Sequence, residues 1–270
     1  MTNFESARAL YARTPEERFA LGAFNVDKQE TLAIARAAAA KQSPVLVEAS
    51  QRNLRAMVDN YEREFRIELY LDLDHSPSVA AAKVAIDAGF ELVHIDVSQA
   101  KKDATDEEII AATREVVEYA RTTGACMESE PHYFGGSSNV HAESIDYAEI
   151  RRTFTTPDGA RAFVAATGID TFAVAIRTLL GTPDGEFRGA VERGISKINI
   201  NTELRRAYRT TLEQQVAARP DEYAIVKLIG LVTDAIQAVI EHRMLTGEER
   251  KRTASIREER TRIKTLRADI

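Results

Sequence analysis

"LYLDLDHSP", residues 69–77, alternates Leu69, Leu71 and Leu73 with Tyr70, Asp72 and Asp74, the period of a β-strand with two distinct faces. One face carries two carboxylates, and His75 closes the run. A strand buried in a sheet has no packing reason to end Asp-His. A buried charge is costly unless it is paired or bound to a cation. The stretch reads as an inner strand whose C-terminal end meets something chemical.

Its neighbours repeat the theme. ALGAFNV ends a first strand near Val26, and a helix is expected over about 28–42. PVLVEAS (44–50) is a second strand, followed by a helix over 53–65, and LYLDLDH is followed by a helix over 77–88. ELVHIDVS (91–98), a helix over 105–123 and ACMESEP (125–131) come next. A long loop then leads to a helix over 157–167, TFAVAI (171–176), SKININ (196–201) and helices over 202–217 and 221–245. Strands alternating with helices imply a parallel sheet. At 270 residues a closed TIM (β/α)8 barrel is the leading architecture and a doubly wound open sheet the second. No GxGxxG follows an early strand, which weakens the dinucleotide-binding version of the open sheet.

Residues 1–245 read as one α/β barrel and 246–270 as a charged helical tail. Ile256, Ile263, Leu266 and Ile270 trace a heptad-like seam along that tail, which suits either docking on its own barrel or a subunit contact. A net charge of −6 disfavours a general nucleic-acid binder. A single cysteine, Cys126, excludes an internal disulfide framework. The first 22 residues lack the apolar core of a signal peptide, and no run approaches the roughly 18 apolar residues of a membrane helix. The expectation is a soluble, cytoplasmic protein with neither nucleic acid nor membrane as partner.

In a parallel barrel the C-terminal strand ends converge on one mouth, where catalysis sits. Polar residues gather at those ends: Asn25, Glu48 and Ser50, then Asp72, Asp74 and His75, then His94, Asp96 and Ser98. Glu128 and Glu130 follow on the fifth strand, and Asn199, Asn201 and Thr202 on the last. So many at one rim point to an active site. His75 and Glu130 suit a divalent metal, since zinc takes imidazole nitrogen and carboxylate oxygen at ~2.0–2.2 Å. A histidine hydrogen-bonded to a neighbouring acid is the other reading. FGGSS (134–138) is a glycine-rich loop able to hold an anion, or an ordinary turn. NINTELR (199–205) runs from a strand end into a helix start, with Thr202 as expected cap and Arg205 nearby, a combination that suits phosphate.

GAFNVDKQETLAIARAAAAKQSPVLVEAS, LDLDHSPS, AGFELVHIDVSQ, ESEPHYFGG, TGIDTFAVAI and GISKININTELR, in this order over about residues 15–245, together resemble the class II (zinc-dependent) ketose-bisphosphate aldolases. The resemblance implies a TIM barrel, a homo-oligomer of two or more subunits, and a sugar-phosphate substrate. It also implies zinc, with a second divalent or a monovalent cation in some relatives, acting as a Lewis acid on dihydroxyacetone phosphate. Leu73-Asp74-His75 matches the family's Leu-Asp-His, which makes Asp74 the catalytic acid/base and His75 a zinc ligand. Glu128, Glu130, Gly135 and Gly136 match its Glu-x-Glu and Gly-Gly, which makes Glu130 a second ligand. Asn199, Asn201 and Thr202 match its Asn-Ile-x-Thr and, with Asn25, Ser50, Gly135, Gly136 and Arg205, form the expected substrate and phosphate set.

The chain also departs from that pattern. Arg177 and Leu180 stand where the family has a glycine and a zinc-binding histidine. The family's next strand, with its His-Gly-Gly-Ser-Gly, has no counterpart, so one βα unit of roughly 30–40 residues around strand seven is absent from this sequence. Ser137 and Ser138 replace the acids after Gly-Gly; His141 and Glu143 lie nearby. Three functions follow: zinc-dependent cleavage of a ketose bisphosphate to dihydroxyacetone phosphate and an aldehyde; a catalytically impaired homologue that binds sugar phosphate or serves in assembly; another barrel enzyme acting on sugar phosphates.

Overall fold

The computed structural model describes residues 3–26, 30–49, 54–131, 156–173 and 184–245. Seven strands lie in one sheet: β1 (Leu21–Asn25), β2 (Val45–Glu48), β3 (Leu69–Ser76), β4 (Leu92–Ile95), β5 (Cys126–Ser129), β6 (Thr171–Phe172) and β7 (Lys197–Ile200). All pair in parallel, in the order β6-β5-β4-β3-β2-β1-β7. The parallel α/β fold read from the sequence is therefore present. Among the described residues β6 and β7 are the sheet's two edges.

The sheet is curled. In a flat sheet β7 and β5 would stand five strand spacings apart, about 24 Å. Yet the Nζ of Lys197, on β7, bonds a carboxylate oxygen of Glu128, on β5, and lies 2.6 Å from Asp72 Oδ2, on β3. A lysine side chain covers only a fraction of that span, so the inward faces of β7, β3 and β5 meet across an enclosed interior.

Alternation along the strands builds two cores. Outward-facing Phe24, Val45, Val47, Leu69, Leu71, Leu73, Val93, Ile95, Met127 and Ile200 pack beneath the helices. Inward-facing Leu21, Ala23, Leu46, Tyr70, Leu92 and Cys126 fill the floor of the interior. The helices are α1 (Asn3–Glu17), α2 (Thr31–Lys41), α3 (Arg55–Phe65), α4 (Val79–Asp87), α5 (Asp106–Ala120), α6 (Pro157–Thr167), α7 (Asp184–Glu192), α8 (Thr202–Ala218) and α9 (Ile225–Leu245). Several have caps legible in the chain. Thr105 and Glu108 form a reciprocal capping box on α5. Thr156 caps α6 ahead of Pro157, and Gly168 ends it at φ 74.

Some elements differ from the sequence expectation. α1 was not anticipated; Ala7, Leu10 and Tyr11 join the floor cluster and close the interior at the N-terminal ends of the strands. The fourth strand stops at Ile95, and Val97–Gln99 is a 3-10 turn, so Asp96 and Ser98 do not share a strand face with His94. The sixth strand is described only over Thr171–Phe172, with 174–183 outside the described residues. α7 was not named beforehand, and α9 starts at Ile225 rather than 221. The expected helical tail, 246–270, lies outside the described residues. Among those described, no helix is long and apolar enough to cross a membrane.

Candidate active site

Above the apolar floor the inward positions turn polar in two tiers. Glu48, Asp72, His94, Glu128 and Lys197 form the lower one; Asn25, Asp74, His75, Asp96 and Glu130 form the upper one, at the C-terminal strand ends. Simple alternation would send His75 outward with Leu71 and Leu73. It does not, because β3 breaks register against β4 between Leu73 and Ser76, and His75 takes the left-handed conformation at φ 44. Such a bulge re-aims a side chain. It brings adjacent Asp74 and His75 to the same mouth.

The upper tier is tightly connected. Asn25 Nδ2 donates to Asp74 Oδ2 at 2.8 Å. His75 Nδ1 lies 2.8 Å from Asp96 Oδ2 and 3.8 Å from Glu130 Oε1, while its Nε2 is 3.6 Å from Asp74 Oδ1. Ser98 Oγ donates to Asp96 Oδ1. The rings of His75 and His94 stand 4.4 Å apart. His94 is 2% exposed, and neither ring nitrogen has a hydrogen-bond partner.

These contacts set the charge states. Burial opposes protonation of His75, but Asp96, Asp74 and Glu130 outweigh it and raise its pKa to about 9. Burial drives His94 the other way, to about 4, so it is a neutral imidazole. Burial would raise Asp96, yet its bonds from His75 and Ser98 hold it down at about 2. Burial, then the neighbouring Asp96, pushes Glu130 up to about 8. Protons on His75 and Glu130 offset the carboxylate charge here. Two groups have ligand atoms within 4.8 Å of one another, Asp74–His75–His94 and His75–Asp96–Glu130. Imidazoles and carboxylates around an orphaned buried histidine fit a divalent metal of the zinc type.

The lower tier corrects the sequence reading, which counted Glu48, Asp72 and Glu128 with the catalytic rim. They surround Lys197, a residue that reading did not single out. Lys197 Nζ is 3.4 Å from Glu48 Oε1, and lysine, Glu48 and Asp72 are all nearly solvent-free. Burial disfavours the ammonium, but Asp72, Glu128 and Glu48 outweigh it, and the pKa rises well above the usual lysine value. Burial raises Glu48 well above its ordinary range and Asp72 to about 6.

The other expected residues divide. Ser50, Gly135 and Gly136 lie outside the described residues, as do His141 and Glu143. Asn25 stands at the mouth, bonded to Asp74. Asn199 is half-buried on the Lys197 face of β7. Thr202 is not the cap of α8: the helix begins at Thr202, and Asn201 takes the cap position at φ −122 with no side-chain cap bond. Asn201 Oδ1 is buried without a partner. Thr202 and Arg205 are exposed in the first turn of α8.

A curled parallel sheet with metal-competent side chains converging at its C-terminal strand ends defines a TIM-like parallel α/β protein with a candidate site at that rim. The chain belongs to the class-II fructose-bisphosphate aldolase family, whose model matches residues 5–183 and 180–250. It is 30% identical to the fructose-bisphosphate aldolase of Geobacillus stearothermophilus over 267 residues, covering 83% of this chain and 89% of that protein. It is likewise 30% identical to the 6-phospho-5-dehydro-2-deoxy-D-gluconate aldolase of Bacillus licheniformis over 284 residues, covering 89% and 94%. Among solved structures, the YdjI aldolase of Escherichia coli K12 shares the fold at a TM-score of 0.71 and 22% identity, covering 89% of this chain and 95% of that one.

Proposed function

We propose that this protein is a metal-dependent aldolase that cleaves and forms a carbon–carbon bond in a ketose bisphosphate, releasing dihydroxyacetone phosphate and an aldehyde. The observation that carries the reading is the meeting of Asp74, His75, His94, Asp96 and Glu130 at one mouth, with buried donor atoms left unsatisfied. His75 and Glu130 hold the metal, which we take to be zinc. A bound divalent ion supplies Lewis acidity that polarises a substrate carbonyl. Asp96, backed by Ser98, fixes the ring of His75. Asp74 moves the proton on the aldehyde-derived oxygen: Asn25 holds its Oδ2, and Oδ1 faces the site without a partner. Asn199, Asn201, Thr202 and Arg205, with Ser50, Gly135 and Gly136, receive the substrate's hydroxyls and phosphates. The start of α8 suits an anion because its first N–H groups lack a side-chain cap.

Lys197 supports the metal route over an imine route. A Schiff-base lysine must reach its neutral amine, whereas Lys197 is locked as an ammonium among three carboxylates. The two relatives of equal identity bear different substrate names, so a panel of phosphorylated ketoses is the appropriate assay. The test is aldol cleavage by metal-stripped protein before and after zinc addition. Restored turnover, lost again in Asp74→Ala, is expected. Turnover that survives chelation and the substitution would sink the proposal.

A specific observation favours a second reading, an impaired homologue that binds sugar phosphates without turnover. The 267 aligned positions take in 83% of this chain, about 224 of 270 residues, and so leave about 40 positions without a residue here. That is the size of one βα unit of a (β/α)8 barrel. The family match also breaks near residues 180–183, between β6 and β7, where such a unit would fall. Binding of dihydroxyacetone phosphate with no cleavage of any ketose phosphate separates this reading from the first. The protein is further expected to be a homo-oligomer.

A further inference from the structure

We propose that His94 is a metal ligand of this protein, a second imidazole just beneath His75. The inference rests on the metal-dependent reading above and deepens it by naming a ligand that the sequence motifs leave unassigned.

Two imidazoles from adjacent strands present free nitrogens to a common point beside Asp74. His75 presents Nε2, because Asp96 occupies Nδ1 at 2.8 Å. A carboxylate on the far nitrogen is how ligating histidines are oriented. Asp74 Oδ1, 3.6 Å from His75 Nε2, stays beside the position as the acid/base of the reaction, since Asn25 occupies Oδ2. His94 presents an imidazole 2% exposed with both nitrogens unpartnered. Its nearest carboxylate oxygen, Glu128 Oε2, is 3.8 Å from Nδ1 and already accepts a bond from Lys197. Among the described residues no hydrogen bond accounts for this ring, and buried polar groups are seldom left so.

The spacing fits one ion. The ligand atoms of Asp74, His75 and His94 lie within 4.8 Å of one another. Two donors at a tetrahedral angle on a zinc-like ion with bonds of ~2.0–2.2 Å stand about 3.3–3.6 Å apart. A turn of the His94 ring that brings its nitrogen in by at most about 1.5 Å closes the pair. Asp96 already occupies Nδ1 of His75, so His94 joins the ion at the ring's free Nε2.

The test loads metal-stripped full-length protein with cobalt(II), reading affinity by equilibrium dialysis and coordination by the visible absorption of the ion. Wild type and His242→Gln, a variant of an outer histidine 57% exposed on α9, should bind alike. His94→Gln should lose about 100-fold or more in affinity and change the spectrum. Unchanged affinity and spectrum in His94→Gln, with wild type binding cobalt, overturns the His94 assignment alone. No uptake by wild type overturns the metal-dependent reading and this inference with it. If His94→Gln does not fold, X-ray absorption on the zinc-loaded His132→Gln/His141→Gln protein decides. It leaves only His75, His94 and His242 of the five histidines. Two imidazoles per zinc are expected, and one overturns the assignment.

Discussion

At the scale of single residues, the mouth and the layer below it solve the same problem in different ways. The mouth holds its excess carboxylate charge with protons, on His75 up to about 9 and on Glu130 up to about 8. A metal that binds there must displace those protons. Metal affinity should therefore climb by about tenfold per pH unit for each proton displaced, from pH 6 to near 9, and then level off. Zinc-competition titrations across that range check it; a pH-independent affinity would contradict these charge states. The layer below uses Lys197. Replacing it with methionine leaves Glu48, Asp72 and Glu128 buried without a cation and should cost about 3–5 kcal/mol in denaturant unfolding. Adding Asp72→Asn and Glu128→Gln should recover much of that loss. Acid should help the single variant too, since carboxyls held above their unfolded pKa contribute stability at low pH and lose it as pH rises through the folded value. The carboxylates were legible from strand parity and so was their unusual number. The lysine was passed over because a polar residue opening the short run SKININ reads as a solvent-facing strand start. Its shared parity with Asn199 and Asn201, opposite Ile198 and Ile200, was the available signal.

Elements were legible to the degree that local chemistry decides them. The Thr105–Glu108 capping box is spelled out in TDEE, and its geometry appears as written. Thr105→Ala should lower stability by about 1 kcal/mol in thermal or urea unfolding and leave any turnover unchanged, because α5 lies outside the mouth. The floor contact of α1 was also present in the chain. Ala7, Leu10, Tyr11 and Thr14 are its buried residues, at a helical spacing of i, i+3, i+4 and i+7. Leu10, 5% exposed, packs on the strand starts, so Leu10→Ala should cost about 2–5 kcal/mol, measured by denaturant unfolding. The bulge in β3 was not legible. Alternation predicts outward for His75, and only its pairing with β4, a non-local fact, turns the ring inward. The motif puts His75 at the strand end, and periodicity alone would turn it outward.

At the scale of the molecule, the order β6-β5-β4-β3-β2-β1-β7 leaves two edges, and one of them, β6, is described for only two residues. Strand-helix alternation foretold a parallel sheet, but whether a sheet closes depends on strand number and stagger, which no local pattern encodes. Across the curled sheet Lys197 ties β7 to β2, β3 and β5, so side chains from distant strands hold the interior together. The outer surface is less self-contained. Tyr223 is 85% exposed, Ile225 63% and Val226 81%, adjacent at the turn into α9. Neighbouring exposed apolar residues are the kind of surface that a protein partner covers, and the proposed homo-oligomer would place a further copy of the chain there. Sedimentation at micromolar concentration should give a mass of two or more chains. Val226→Asp should shift it toward the single chain, since a carboxylate at the centre of an apolar contact is desolvated without a partner. Wild type sedimenting as a monomer would remove the oligomer from the reading, and an oligomer indifferent to Val226→Asp would move the contact elsewhere on the surface.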